Sequence, residues 1–281
     1  MFRTTSEIQI NISALRDVRE LERARETPAC LMIEDVPIGG SPIWRPISEN
    51  IIRQIGEIDG KTILDAGCGT GGWAVWLAKQ GAYVYAFDIS PRSIEITNLR
   101  AQVNGVANRV SAEVFNIETN WQFDESVFDI VLLNAVLHHV QDHKMLEVMN
   151  NAHRVLKKVG KAIAAEPIGN SPLFEKIKYM VPSGHLGNWD YRPSSLSKAW
   201  DSWLQTSYGW DRTLTTGLLH SIGKNFDKIE TKEFIFMGRL AKLFKNKQLV
   251  SLIAHLDDIS ISIPFIRRYC NNIVVTYHKT N

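Results

Sequence analysis

Residues 63–72, ILDAGCGTGG, constrain this chain more than any other stretch. Its apolar start, behind Lys61 and Thr62, has the pattern of a buried parallel strand, and a helical spacing of Trp73, Trp76 and Leu77 begins directly after the glycines. Strand, glycine turn and helix in that order let a ligand touch backbone N–H groups at the positive end of a helix. Two templates fit at once. Gly67, Gly69 and Gly72 satisfy the dinucleotide spacing G-x-G-x-x-G, while Asp65, Gly67, Gly69 and Gly71 satisfy D-x-G-x-G-x-G. Asp65 separates them, because a carboxylate at the strand end repels a pyrophosphate and suits an ammonium group.

The run LDAGCGTGG resembles the first motif of the class I S-adenosylmethionine-dependent methyltransferases. That resemblance implies S-adenosylmethionine as cofactor, with Asp65, Gly67, Cys68, Gly69 and Gly71 around its methionyl part and methyl transfer by in-line displacement at a sulfonium. A second strand, AYVYAFD, ends at Asp88. An acid at that place, about 20 residues past the glycine turn, accepts hydrogen bonds from ribose hydroxyls, with Ile89 beside it. The strand RVSAEVFN ends at Asn116, where family members often carry Asp for the adenine amine. The Asn carbonyl oxygen still accepts that bond, the Ile117 backbone assists, and Glu118 is a competing acceptor.

The segment Phe128 to Val140, FDIVLLNAVLHHV, again resembles the family: a fourth buried strand brings Asn134 toward the methionyl portion and His138 and His139 beside the departing methyl. A helix from Asp142 to Lys158 precedes a fifth strand, KAIAAEP, ending with Glu166, which is placed to orient a histidine or bind a substrate hydroxyl. A histidine at 138 or 139 is then a general base for an oxygen acceptor. The alternation of helices and strands, closed by IETKEFIFM and NNIVVTYHK, implies an α/β, Rossmann-like, doubly wound seven-stranded sheet with the last strand antiparallel.

Around this core (47–167 and 211–281, with a helical excursion over 240–268) the chain carries additions. Residues 1–46 read as an amphipathic helix from Ser6 to Glu26 and a proline-rich flap that brings Trp44 toward the ligand. Residues 168–210 read as an aromatic lid, with His185, Trp189, Tyr191 and Trp203 as candidate substrate contacts. From Lys228 onward nine Lys and Arg stand against four Asp and Glu, a charge excess that suits an acidic substrate or an anionic membrane surface.

A formal net charge of +2 is too small to anchor a nucleic acid, and the adenine- and cytosine-methylating signatures are absent. Three widely spaced cysteines form no disulfide framework or metal set and fit a reducing cytoplasm. The N-terminal residues hold no apolar run of signal-peptide length, and no stretch has the ~20 apolar residues that span a bilayer. The expectation is therefore a cytoplasmic enzyme that methylates a small molecule (a sugar, lipid-linked or natural-product acceptor), with oxygen, nitrogen or carbon as the acceptor atom. An NAD-dependent oxidoreductase and a catalytically silent cofactor-binding subunit are the alternatives of other classes.

Overall fold

The computed structural model describes residues 28–35, 44–169, 214–236 and 246–280. The expected helix of Ser6 to Glu26, the lid contacts His185, Trp189, Tyr191 and Trp203, and the start of the helical excursion lie outside the described residues.

Seven strands form one sheet: β1 (Thr62–Ala66), β2 (Tyr83–Asp88), β3 (Val110–Val114), β4 (Phe128–Asn134), β5 (Leu156–Pro167), β6 (Lys228–Phe234) and β7 (Asn272–His278). Their order is β3-β2-β1-β4-β5-β7-β6. The first five strands run parallel, and β7 enters antiparallel between β5 and β6, as the element order implied. The chain order reverses between β1 and β4, so the ends of these two strands flank the crevice where such sheets bind ligands.

The near-continuous apolar runs of the central strands reflect a sheet covered on both faces. Leu64, Val131, Leu133, Ala164, Val275 and Tyr277 pack on one side, against α4 (Met145–Val155) and α5 (Thr216–Ile222). Ile63, Val84, Leu132, Ile163 and Val274 fill the other, against α1 (Arg45–Ile55) and α2 (Gly72–Lys79). Helix α3 (Pro91–Val103) starts after Ser90, whose hydroxyl caps the Ser93 amide at 3.2 Å, and has Pro at its first position. Helix α6 (Lys247–Ile261) packs beside β6.

The α4–β5 junction differs from the sequence expectation. The helix stops at Val155, and β5 begins at Leu156, so Lys157 and Lys158 are strand residues. Leu156 is buried opposite Phe128, and the Lys157 ammonium meets Asp129 at 2.9 Å. An irregularity in the β4–β5 register, with Val159 at φ 64°, absorbs the added length.

Candidate functional site

The turn after β1 is built from both sides of the sheet. Gly67, Gly69 and Gly71 all have positive φ (80°, 52° and 76°), a region that side chains rarely adopt. A Cβ on Gly67 would collide with the Val136 side chain, whereas one on Gly69 would meet nothing within 4 Å. The turn is therefore clamped against the end of β4 at Gly67 and open at Gly69.

Asp88 braces the open part. Its Oδ2 accepts the Gly69 N–H at 2.9 Å, and its Oδ1 accepts the Ser90 N–H at 2.9 Å. These bonds fix the plane of the carboxylate. Ile89 follows with its side chain 67% exposed beside the turn. Asp65, at the end of β1, is only 2% exposed, and its Oδ2 has no hydrogen-bond partner among the described residues. Burial, then the like charge of Asp88, pushes its carboxyl up to about 7, against the pull of the Ala74 N–H. A buried acid with an unmatched oxygen beside an open glycine turn is a place for a cationic donor. These residues fit the ammonium and ribose of S-adenosylmethionine, and Asp65 opposes a pyrophosphate.

Cys68 is half-buried with its Sγ 3.6 Å from the Gly69 carbonyl, and burial raises its thiol far above the usual range. It is a neutral wall residue. Asn116 spends part of its acceptor capacity locally, because Oδ1 takes the Glu118 N–H at 3.0 Å. The Glu118 carboxylate is held by the Gln141 backbone and side-chain amides at 2.8 and 2.9 Å. Ile117 accepts the Trp121 indole N–H at 3.0 Å through its carbonyl, anchoring the loop after β3. Asn134 ends β4 half-buried, ahead of Ala135, which is held at φ 55°.

The histidine pair lies on the 3-10 turn Leu137–His139. Glu166, at the end of β5 and 1% exposed, reaches across from the adjacent strand. Its Oε1 accepts the Val136 and Leu137 N–H groups at 2.9 and 2.8 Å, and its Oε2 lies 2.7 Å from His138 Nδ1. The His138 ring is buried and the exposed His139 ring lies against it, centroids 3.9 Å apart. The contact suits the tautomer in which His138 Nδ1–H donates to Glu166 Oε2. With its oxygens facing this turn, Glu166 orients the histidine and is not exposed to bind a substrate hydroxyl.

Trp44 packs at the start of α1 against the apolar cluster of Ile47 and Ile51. Two further residues support the turn without a sequence signal that singled them out. Thr97, fully buried on α3, donates to the Gly69 carbonyl at 3.2 Å and the Ser93 carbonyl at 2.9 Å. Arg100, one turn on, bonds the Thr70 carbonyl and its hydroxyl. Their spacing of three places both over the turn, a signal visible only once α3 is known to lie there.

Residues 63–160 match the family described as "Methyltransferase domain". The chain is 29% identical over 192 residues to a ubiquinone biosynthesis O-methyltransferase of Aliivibrio fischeri, covering 63% of this chain and 78% of that one. It is 29% identical over 159 residues to the Vibrio cholerae protein of the same name, covering 54% of this chain and only 63% of the relative. Among solved structures, an S-adenosylmethionine dependent methyltransferase from Mesorhizobium loti superposes with a TM-score of 0.55 at 17% identity, covering 86% and 99% of the two chains. A geranyl diphosphate C-methyltransferase from Streptomyces coelicolor gives 0.53 at 18% identity, covering 84% and 78%. At such identities the structures speak for the fold.

Proposed function

We propose, on the premise that this chain is a class I S-adenosylmethionine-dependent methyltransferase, that it methylates a hydroxyl oxygen of a small molecule. The observation that carries this reading is the buried 2.7 Å contact between Glu166 and His138 Nδ1 at the end of β5. Bound at the glycine turn, the cofactor supplies an electrophilic methyl group on a sulfonium.

Asp65 receives the cofactor's ammonium, Asp88 its ribose hydroxyls, and the Gly69 opening lets it approach the backbone. Ile89 flanks the adenine on one side and Asn116 accepts its amine. Asn134 and Cys68 line the methionyl part. Glu166 keeps the His138 ring in one tautomer, so Nε2 takes the acceptor's proton as the new carbon–oxygen bond forms. Positioning supplies most of the rate, since a sulfonium needs little further activation. The names of the curated relatives support oxygen as the acceptor atom, and the aromatic composition of the 168–210 sequence supports a sugar, lipid-linked or natural-product acceptor.

Calorimetric titration with S-adenosylmethionine, S-adenosylhomocysteine and NAD tests the premise, and turnover of hydroxylated acceptors tests the rest. The expected result is micromolar binding of the first two, lost in Asp88→Ala, with turnover falling in His138→Ala while S-adenosylhomocysteine still binds. Binding of NAD alone refutes the methyltransferase reading. Undiminished turnover in His138→Ala refutes the base.

A further inference from the structure

A second concavity, of about 520 Å³, lies between α1 and the β6–β7 edge, and no residue of the glycine turn lines it. Its walls carry Asn50, Arg53, Lys232, Glu233, Arg267 and Thr276. This volume suits a small organic ligand. The polar walls do not suit an apolar one.

Asn50 is the telling residue. Helix α1 turns Ile47, Ile51 and Ile55 into the core, and Asn50 sits among them at 4% exposure, where an apolar side chain is expected. Its Oδ1 meets no donor among the described residues. A buried amide oxygen left unmatched lowers stability, so a polar group retained there marks a donor supplied from the cavity. Arg53 follows one turn later on the same helix. Among the described residues neither Arg53 nor Lys232 makes a hydrogen bond or ion pair, and the Lys232 ammonium rests 5.3 Å from the centre of the Phe234 ring. The Arg267 guanidinium donates through Nε to the Ile261 carbonyl at 3.2 Å, which aims the rest of its fork.

Of the acids nearby, Glu230 is answered by Lys228 at 2.5 Å and by an electrostatic contact with His278 at 3.5 Å. Glu233 stands opposite Ile273 and so turns its side chain to the other face of the sheet, and the Asp258 carboxylate acts electrostatically on Lys232. Two cations without a hydrogen bond or ion pair among the described residues and an unmatched acceptor amide together describe a ligand with one anionic end and a hydroxyl.

We propose that this cavity is a second binding site, for a phosphorylated polyol. Its phosphoryl group lies between Arg53 and Lys232, where a guanidinium fork matches phosphate oxygens, and a hydroxyl donates to Asn50 Oδ1. The site is independent of the cofactor reading.

Calorimetry on the full chain with glycerol 3-phosphate, ribose 5-phosphate and glucose 6-phosphate, against inorganic phosphate and free glucose, tests it. The expected result is saturable binding of at least one sugar or polyol phosphate, tenfold or more tighter than inorganic phosphate. Arg53→Ala and Lys232→Ala each weaken it tenfold or more at unchanged Tm. Asn50→Leu weakens binding while its Tm equals or exceeds the parent's. Saturable binding of none of the three overturns the proposal, as does equal affinity for inorganic phosphate. Binding indifferent to Arg53→Ala overturns it too, and a lowered Tm with intact binding in Asn50→Leu makes that amide structural and overturns its role.

Discussion

Replacing Asp65 by Asn tests the core of the site without removing its shape. In the fold the carboxyl is held at about 7 by burial and by Asp88, against an ordinary value of 3.8. Between these limits the native state binds a proton that the unfolded chain releases, so this group favours folding at low pH and loses that contribution as pH rises from 4 through 7. A gap of roughly three units at 1.36 kcal/mol each is about 4 kcal/mol. Asn keeps an oxygen for the Ala74 N–H and carries no charge, so Asp65→Asn should match the parent near pH 4 and exceed its stability above pH 8. With roughly 2 °C per kcal/mol for a chain of this size, the alkaline advantage is about 8 °C in Tm. Thermal unfolding of both proteins from pH 4 to 9 reads this directly. Binding of S-adenosylmethionine should fall at least tenfold in the variant, because its ammonium loses an ionised partner. Parallel stability profiles across that range would refute the reasoning, since Asp65 would then be ionised against a partner the structure does not show.

Further perturbations act at other points. Glu166→Gln should lower turnover about a hundredfold or more, in the range of a lost general base, and shift the pH–rate profile while S-adenosylhomocysteine affinity changes little. An unchanged profile would detach Glu166 from His138. Val159 is 77% exposed at φ 64°, so Val159→Gly relieves strain with no packing lost. A gain of about 1 kcal/mol in urea unfolding is expected. Lys279 is buried, with its ammonium donating to the His153 and Leu156 carbonyls at 2.9 and 2.6 Å. Lys279→Met leaves both carbonyls unmatched and should cost about 1–3 kcal/mol by the same measurement.

The glycine turn was legible because every part of it is local: strand end, three glycines and helix start within ten residues of sequence. Asp88 was legible through a spacing that parallel strands impose. The Glu166–His138 contact was legible only as an option, because it depends on how β5 registers against β4, with Asn134 opposite Ala165. Thr97 and Arg100 look like ordinary helix residues until α3 lies over the turn. Lys157 and Lys158 continue a helical charge pattern, and what draws them into β5 is Leu156 seating beside Phe128 and Asp129 meeting Lys157. Asn50 interrupts the Ile47, Ile51 and Ile55 stripe in plain view, yet a single polar residue carries no meaning until its oxygen is seen without a donor.

The antiparallel β7 also governs when this sheet can be finished. It is the last strand in chain order, yet it sits inside the sheet, pairing Pro167 with Asn272 on one side and Lys228 with His278 on the other. As the chain leaves the ribosome, β1 to β5 can assemble, but among the described residues the edge of β5 stays open for about another hundred residues, and β6 pairs with β7 alone. An unpaired apolar edge is a template for pairing with another chain. β7 therefore enters a gap between two strands, a pairing of long sequence separation with β5. Chains ending before Asn272 should collect as aggregates held together through β5.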